Sequence, residues 1–352
     1  MNTWIREYEE IETDQYLKLF DRVMRKENDT NVEFLEKSIE EVVGRKAVAC
    51  NSGTDALHFS LISLGIGKGD EVLTTNFSWI STASVISMVG ATPVFCDIDL
   101  LTYHMSFDSI QKMYSPKVKA IIYPHLFGNM SDISKIKTFC QEKNIHFIED
   151  ACQSLGSSYN GAVAGSEGNI STLSFNDNKV VSGISGGGAI LTDGDTEIFK
   201  RLRKHGDHKI LGYNSKMLLF NAEIINFRLK KLNEYISKRQ ANARYYDEHL
   251  KDVVIVQSET MQQWEKVNHN YHKYVVRFKT KEVRDLVKNK LNAKVHYNKP
   301  ISENKMYDNI EHRKDDTTIT KMVCDTILTL PLSPYMKKEE LDKVINTILI
   351  LV

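Results

Sequence analysis

The sequence predicts an α/β protein: a large, mostly parallel sheet domain followed by a smaller C-terminal α/β domain. Three observations carry this expectation. The chain has 352 residues, more than twice the roughly 150 of an ordinary domain. From Lys46 to about Asp193, short β-branched runs alternate with helical patterns, the rhythm of parallel strands with helices on both faces of the sheet. After Asp193 the pattern changes to longer, basic, amphipathic helices and then to a second αβ pattern, which places a boundary near Leu250 and divides the chain into 1–250 and 251–352. Neither a Gly/Ser linker nor an internal repeat marks that boundary.

Taken in order, the apolar runs Lys46 to Cys50, Glu71 to Thr74, Thr92 to Asp97, Lys119 to Tyr123, Ile145 to Glu149 and Gly188 to Thr192 read as strands. Between them, Ser131 to Lys143 places Ile133, Ile136 and Phe139 at helical spacing, with Ser131 as N-cap. Helices follow over Thr196 to His205 and Leu218 to Leu250, the latter broken near Leu232. In the second αβ pattern a strand at Tyr274 to Phe278 precedes a helix at Lys281 to Leu291, a strand around Lys294 to Tyr297 and a final helix from Lys337 to Leu351.

Composition narrows the function. Hydrophobic residues make up 41% and charged residues 26%, with 18 Gly and 6 Pro, which excludes a disordered or collagen-like chain. Lys+Arg and Asp+Glu are equal at 46 each, an argument against a protein that lives on nucleic-acid backbones. The five cysteines (Cys50, Cys96, Cys140, Cys152 and Cys324) have no C-x-x-C spacing and read as reduced thiols. The N-terminus is acidic without an apolar h-region, and no run approaches the ~18 to 20 apolar residues of a membrane span. The expectation is a cytoplasmic protein with a small metabolite as its ligand, without nucleic-acid or membrane partners.

Three segments carry candidate chemistry. In Cys50-Asn51-Ser52-Gly53-Thr54-Asp55-Ala56-Leu57 a strand ends, small polar residues turn the chain and a helix starts. This suits either an anion held on free N–H groups or a plain Ser/Thr cap. The strand in Ile145-His146-Phe147-Ile148-Glu149-Asp150 ends in two carboxylates; Asp150 faces a ligand crevice at the carboxyl ends of the strands or caps a helix. Lys179 lies between an apolar strand ending at Ser174-Phe175 and the glycine run Ser185-Gly186-Gly187-Gly188, as a Schiff-base amine or as a surface charge. Other motifs drop out. Gly65-Ile66-Gly67-Lys68-Gly69 follows a helix and precedes a strand, the reverse of a dinucleotide fingerprint. His269 and His272 sit in a strand-like context that does not suit a metal pair, and no metal is expected.

These segments, with Phe77-Ser78-Trp79-Ile80-Ser81-Thr82-Ala83, Gly90-Ala91-Thr92-Pro93-Val94-Phe95, His125-Leu126-Phe127-Gly128, Glu149-Asp150-Ala151-Cys152-Gln153, Gly212-Tyr213-Asn214 and Leu330-Pro331-Leu332, form an ordered set across nearly the whole chain. The set resembles the DegT/DnrJ/StrS family of pyridoxal-phosphate-dependent sugar aminotransferases, of fold type I. The resemblance implies that Lys179 forms the Schiff base with pyridoxal 5'-phosphate and shuttles the proton. It implies that Asp150 pairs with the pyridine nitrogen, Trp79 stacks on the ring and Gln153 lies beside the ring hydroxyl. Gly53, Thr54 and Ser174 would hold the phosphate. Asn214 would reach a cofactor in the partner of a homodimer with shared active sites. The implied reaction is transamination of a nucleotide-linked keto-sugar, with glutamate as donor. Lys216, His296 and Tyr297 are candidates for substrate contacts.

Two departures stand out. Lys216 occupies the place of the family's arginine, trading a bidentate fork for a point charge. Ser185-Gly186-Gly187-Gly188 replaces the commoner Gly-Glu-Gly-Gly and resembles the form in some enzymes that aminate the fourth carbon of nucleotide-linked N-acetylamino sugars. Competing readings are another keto-sugar or cyclitol as acceptor, a sugar dehydrase, and a regulatory protein that binds the cofactor without turnover. Lys179 counts against the dehydrase, whose family pattern has histidine there, and Lys179 with Asp150 counts against the regulator.

Overall fold

The computed structural model describes residues 13–26, 31–261 and 264–352; the acidic N-terminal segment, residues 1–12, lies outside the described residues. Along the chain the strands are β1 (Lys46–Cys50), β2 (Glu71–Thr75), β3 (Thr92–Cys96), β4 (Val118–Pro124), β5 (His146–Asp150), β6 (Ser158–Tyr159), β7 (Ala162–Val163), β8 (Ile170–Ser174), β9 (Gly188–Thr192), β10 (Val267–Asn268), β11 (Tyr274–Arg277), β12 (Arg313–Lys314) and β13 (Ile327–Leu330). Eight of them make one sheet in the order β1-β9-β8-β5-β4-β2-β3-β12. Pairing is parallel from β8 through β12, while β9 runs antiparallel to both β1 and β8.

Period-two alternation decides which side chains face which layer. Leu73, Val94, Ile121 and Phe147 pack on one face with Met105, Ile110, Ile136 and Phe139. Their neighbours Val72, Ala120, Ile122 and Ile148 pack on the other with Leu57, Leu61, Val85 and Ile86. A second core gathers Ala243, Tyr246 and Leu250 with β11, β13 and the final helix Lys338–Leu351. The long helix Leu232–Leu250 serves both regions, since Leu232, Tyr235 and Ile236 belong to the core of the large sheet. β12, late in the chain, closes the edge of that sheet beside β3.

Three sequence expectations change. Ser131 does not cap a helix: its hydroxyl is spent on His104 and Tyr123, and the helix begins at Ser134, whose N–H is met by Asp132. The helix expected to reach His205 stops at Leu202, because His205, Gly206 and Asp207 take left-handed backbone conformations. No strand runs over Lys294 to Tyr297. Lys294 makes a single bridge to Thr329, after which the chain turns and seats Tyr297 against Phe77 and Phe127.

The end of β5 is anchored by Glu149, which is fully buried and accepts from the N–H groups of Gly165, Glu167 and Gly168, the Ser171 hydroxyl and His125. Burial alone would raise its pKa, but these donors overcome it and bring it to about 2, against an ordinary 4.5. A carboxyl depressed in the folded state stabilises above its unfolded pKa and loses that stabilisation as the pH falls through its folded value. A displacement of that size corresponds to about 3 kcal/mol. Glu149→Gln should therefore lower stability at pH 7 by about that amount and flatten the loss of stability between about pH 4.5 and 2. Urea titrations of parent and variant across that range check both effects; parallel curves at every pH would refute the assignment.

Candidate active site

Helix Gly53–Ser63 starts immediately beyond the carboxyl end of β1. Ser52 is its N-cap, accepting from the Asp55 N–H at 3.0 Å, so the capping reading of this segment holds. The same helix end opens into a cavity of about 340 Å³ lined by Ser52, Gly53 and Thr54. The two readings are therefore compatible, because one cap leaves other first-turn N–H groups for a ligand. Gly53 is required by packing: a Cβ there would stand 2.8 Å from the Ser174 Cβ, so its absence lets the end of β8 close on the helix. Thr54 donates its hydroxyl to Ser81.

Across the cavity stands the end of β5. Asp150 is buried; its Oδ2 accepts from the Thr82 hydroxyl at 3.0 Å and its Oδ1 from the Cys152 N–H at 3.2 Å, which fixes the direction of the carboxylate. Burial, with Asp150 beside it, pushes the Cys152 thiol far up and keeps it protonated. Gln153 is locked by the Phe127 N–H, by His272 and by the Tyr297 hydroxyl. Trp79, largely exposed, stands at the cavity mouth.

Lys179 follows β8 in the loop before the glycine run, and its amine faces the same cavity. Burial lowers its pKa below the ordinary 10.5, with Cys152 and Asp150 opposing, so the neutral amine is favoured relative to a surface lysine. The expected residues Gly53, Thr54, Trp79, Asp150, Gln153, Ser174, Lys179, His296 and Tyr297 thus line one cavity. His296 is turned by a bond between its Nδ1 and the Thr329 hydroxyl, and burial drops its pKa to about 3.

Asn214 and Lys216 do not line that cavity and are exposed. Their segment is strapped to the outside of helix Gly53–Ser63: Tyr213 bonds His58 at 2.9 Å, and Ser215 donates to Asp55 at 2.6 Å. Sequence reasoning missed Thr82, His272 and Lys273 as wall residues. Thr82 lay within a motif already singled out. His272 was weighed only as half of a metal pair, and Lys273 immediately precedes a strand with nothing local to set it apart from a surface lysine.

A helix N-terminus, a neutral-leaning buried lysine and a carboxylate around one cavity suit a ligand with an anionic tail, an aldehyde or amine, and a basic ring nitrogen. Comparison with known proteins gives the family. The model of the DegT/DnrJ/EryC1/StrS aminotransferase family matches residues 10–349. A UDP-N-acetyl-3-dehydro-alpha-D-glucosamine 3-aminotransferase from Acidithiobacillus ferrooxidans is 32% identical over 325 residues, covering 88% of this chain and 86% of that protein. A pleiotropic regulatory protein from Geobacillus stearothermophilus is 29% identical over 359 residues, covering 97% and 95%. Among solved structures, NtdA from Bacillus subtilis with bound cofactor PMP matches with a TM-score of 0.83 at 25% identity, over 97% of this chain and 82% of that one.

Gly53→Ala should press a methyl group against Ser174 and weaken the hold on a phosphorylated ligand. Overpacking of about 1 to 3 kcal/mol predicts a loss of roughly tenfold or more in PMP affinity, measurable by fluorescence titration. Parental affinity would place the phosphate elsewhere.

Proposed function

The chain belongs to the DegT/DnrJ/EryC1/StrS aminotransferase family, and from that premise we propose that it aminates the keto group of a nucleotide-activated sugar with pyridoxal 5'-phosphate as cofactor and glutamate as donor. The observation that carries this reading is the placement of the Lys179 amine and the Asp150 carboxylate in one cavity with a helix N-terminus. No helix of the described residues is long and apolar enough to cross a membrane.

The residues fit the cofactor. Gly53, Thr54 and Ser174 would hold its phosphate, Asp150 its ring nitrogen, Trp79 its ring face and Gln153 its hydroxyl. When bound, pyridoxal phosphate supplies the electron sink and carries the amino group from donor to acceptor. The protein's own part is positioning and proton transfer. Lys179, buried and depressed in pKa, can accept a proton at Nζ from the donor carbon and return one to the acceptor carbon. Asp150, oriented by Thr82 and Cys152, holds a proton at the ring nitrogen by charge. The neutral imidazole of His296 and the buried Tyr297 hydroxyl offer polar atoms to the sugar.

Asn214 and Lys216 are exposed, outside the cavity of their own chain, on a segment held by Tyr213 and Ser215. That placement suits a role in the site of a second copy, and so a homodimer with shared active sites. The reading as a regulator that binds without turnover finds a namesake in the Geobacillus relative, and Lys179 and Asp150 argue against it.

Lys179→Ala should abolish transamination in a folded protein, and Asp150→Asn should cut turnover by about 10²-fold or more. Borohydride reduction in the presence of pyridoxal phosphate, followed by peptide mapping, should label Lys179; a label on Lys273 instead would reassign the amine.

Mixing Lys179→Ala with an inactivating Asn214 variant should return about half the parental activity per heterodimer, since one site then carries both defects and the other neither. Heterodimers proven by mass spectrometry but inactive would place Asn214 in its own chain's chemistry or in none.

A further inference from the structure

The cavity has a second lysine that the reaction as described does not use. Lys273 precedes β11, and the chain is held at and just before it. Its N–H donates to Phe127 O at 3.2 Å, and the preceding His272 is wedged between Gln153 and Asn178 through its two ring nitrogens. Its side chain lines the cavity beside Lys179, His296 and Tyr297. Among the described residues no hydrogen bond or ion pair reaches its ammonium.

The charges around it are mostly of its own sign. Lys179 from the loop after β8, Arg239 from helix Leu232–Leu250 and Lys294 from the segment after helix Lys281–Leu291 repel it more strongly than Asp177 attracts it. Arg239 is already spent on the carbonyls of Tyr271 and Leu332. His272 and His296 are held neutral by burial. Burial and the neighbouring cations together bring Lys273 to about 7. A buried amine without a side-chain partner, set among cations, is a poor structural element and a good anion receptor.

The phosphate cradle at Gly53 and Thr54 is a different wall, so Lys273 addresses a second anion. Resting on the transamination reading above, we propose that Lys273 receives the α-carboxylate of the amino donor and orients the donor carbon toward Lys179. The distinction from a sugar diphosphate is one of reach. Lys273 is close enough to Lys179 to feel its charge. The α-carboxylate is bonded directly to the reacting carbon, whereas in a nucleotide sugar ring atoms separate the keto carbon from the diphosphate.

The test uses the holoenzyme of the parent, Lys273→Met and Lys273→Arg. Three measurements are made: the glutamate half-reaction followed by cofactor absorbance, binding of the unreactive dicarboxylate maleate, and binding of whichever of UDP, dTDP and GDP the parent retains. A charge-assisted carboxylate contact predicts glutamate and maleate half-saturation raised about 10- to 100-fold in Lys273→Met. The limiting rate should fall by less than half-saturation rises, nucleoside diphosphate affinity should be unchanged, and Lys273→Arg should regain part of the loss. Unchanged glutamate and maleate affinity overturns the proposal. Loss of nucleoside diphosphate binding with glutamate intact overturns it in favour of the sugar substrate, and equal loss of all ligands with weakened cofactor overturns it in favour of a structural role. A parent that accepts no amino donor fails the transamination reading itself and takes this proposal with it; a parent that turns over beside an unaffected variant fails the Lys273 assignment alone.

Discussion

The geometry of the site depends on two adjacent carboxylates at the end of β5. Strand alternation sends Glu149 and Asp150 to opposite faces of the sheet. Glu149 is consumed by three backbone N–H groups, a serine hydroxyl and His125, and so ties the loop before β8 to the strand. Asp150, one residue on, meets only Thr82 and Cys152 among the described residues and keeps its remaining capacity for the cavity. Five donors on one carboxylate hold its neighbour in place, which is how a charge can stand at a strand end without slackening toward solvent.

The opposite wall is set by close approach instead of by charge. Ser174 reaches the helix beyond β1 because Gly53 has no side chain to keep it away, and a Cβ at Gly188 would fall 2.3 Å from the Ser52 backbone. Gly186 and Gly187 both take positive φ. The run Ser185-Gly186-Gly187-Gly188 therefore satisfies the backbone demand of the segment without a glutamate at its second position.

Much of this was legible because the physics is local. The strands Lys46–Cys50 and Gly188–Thr192 and the helix Lys281–Leu291 coincide with their apolar and capping patterns, and the break near Leu232 falls between two observed helices. What stayed hidden depends on partners distant in sequence. β9 reads like its parallel neighbours, but it is inserted antiparallel between β1 and β8, and nothing within Gly188–Thr192 states a direction. Ser131 has the chemistry of a cap, yet His104, from a distant loop, takes its hydroxyl. Lys294 to Tyr297 has strand composition, but aromatic contacts of Tyr297 with Phe77 and Phe127 outweigh the ladder. Lys273 is the sharpest case, since its environment is composed by Lys179, Arg239 and Lys294 from three separate elements.

These elements distribute charge around the cavity in a consistent way. Asp150 stands at one wall, a helix N-terminus at another and Lys179 with Lys273 at a third, while His272 and His296 are kept neutral by burial. Had those imidazoles been charged, they would have added to the repulsion already pressing on Lys273 and deepened the desolvation cost of the wall. Neutral rings spend their nitrogens on Gln153, Asn178 and Thr329 instead. Positive charge is thereby confined to lysines, whose amines can shed or regain a proton as ligands come and go. On the proposed transamination, which would admit two chemically different substrates in turn, such adjustable cations serve better than permanent ones, because neither departure leaves a stranded charge in a buried wall.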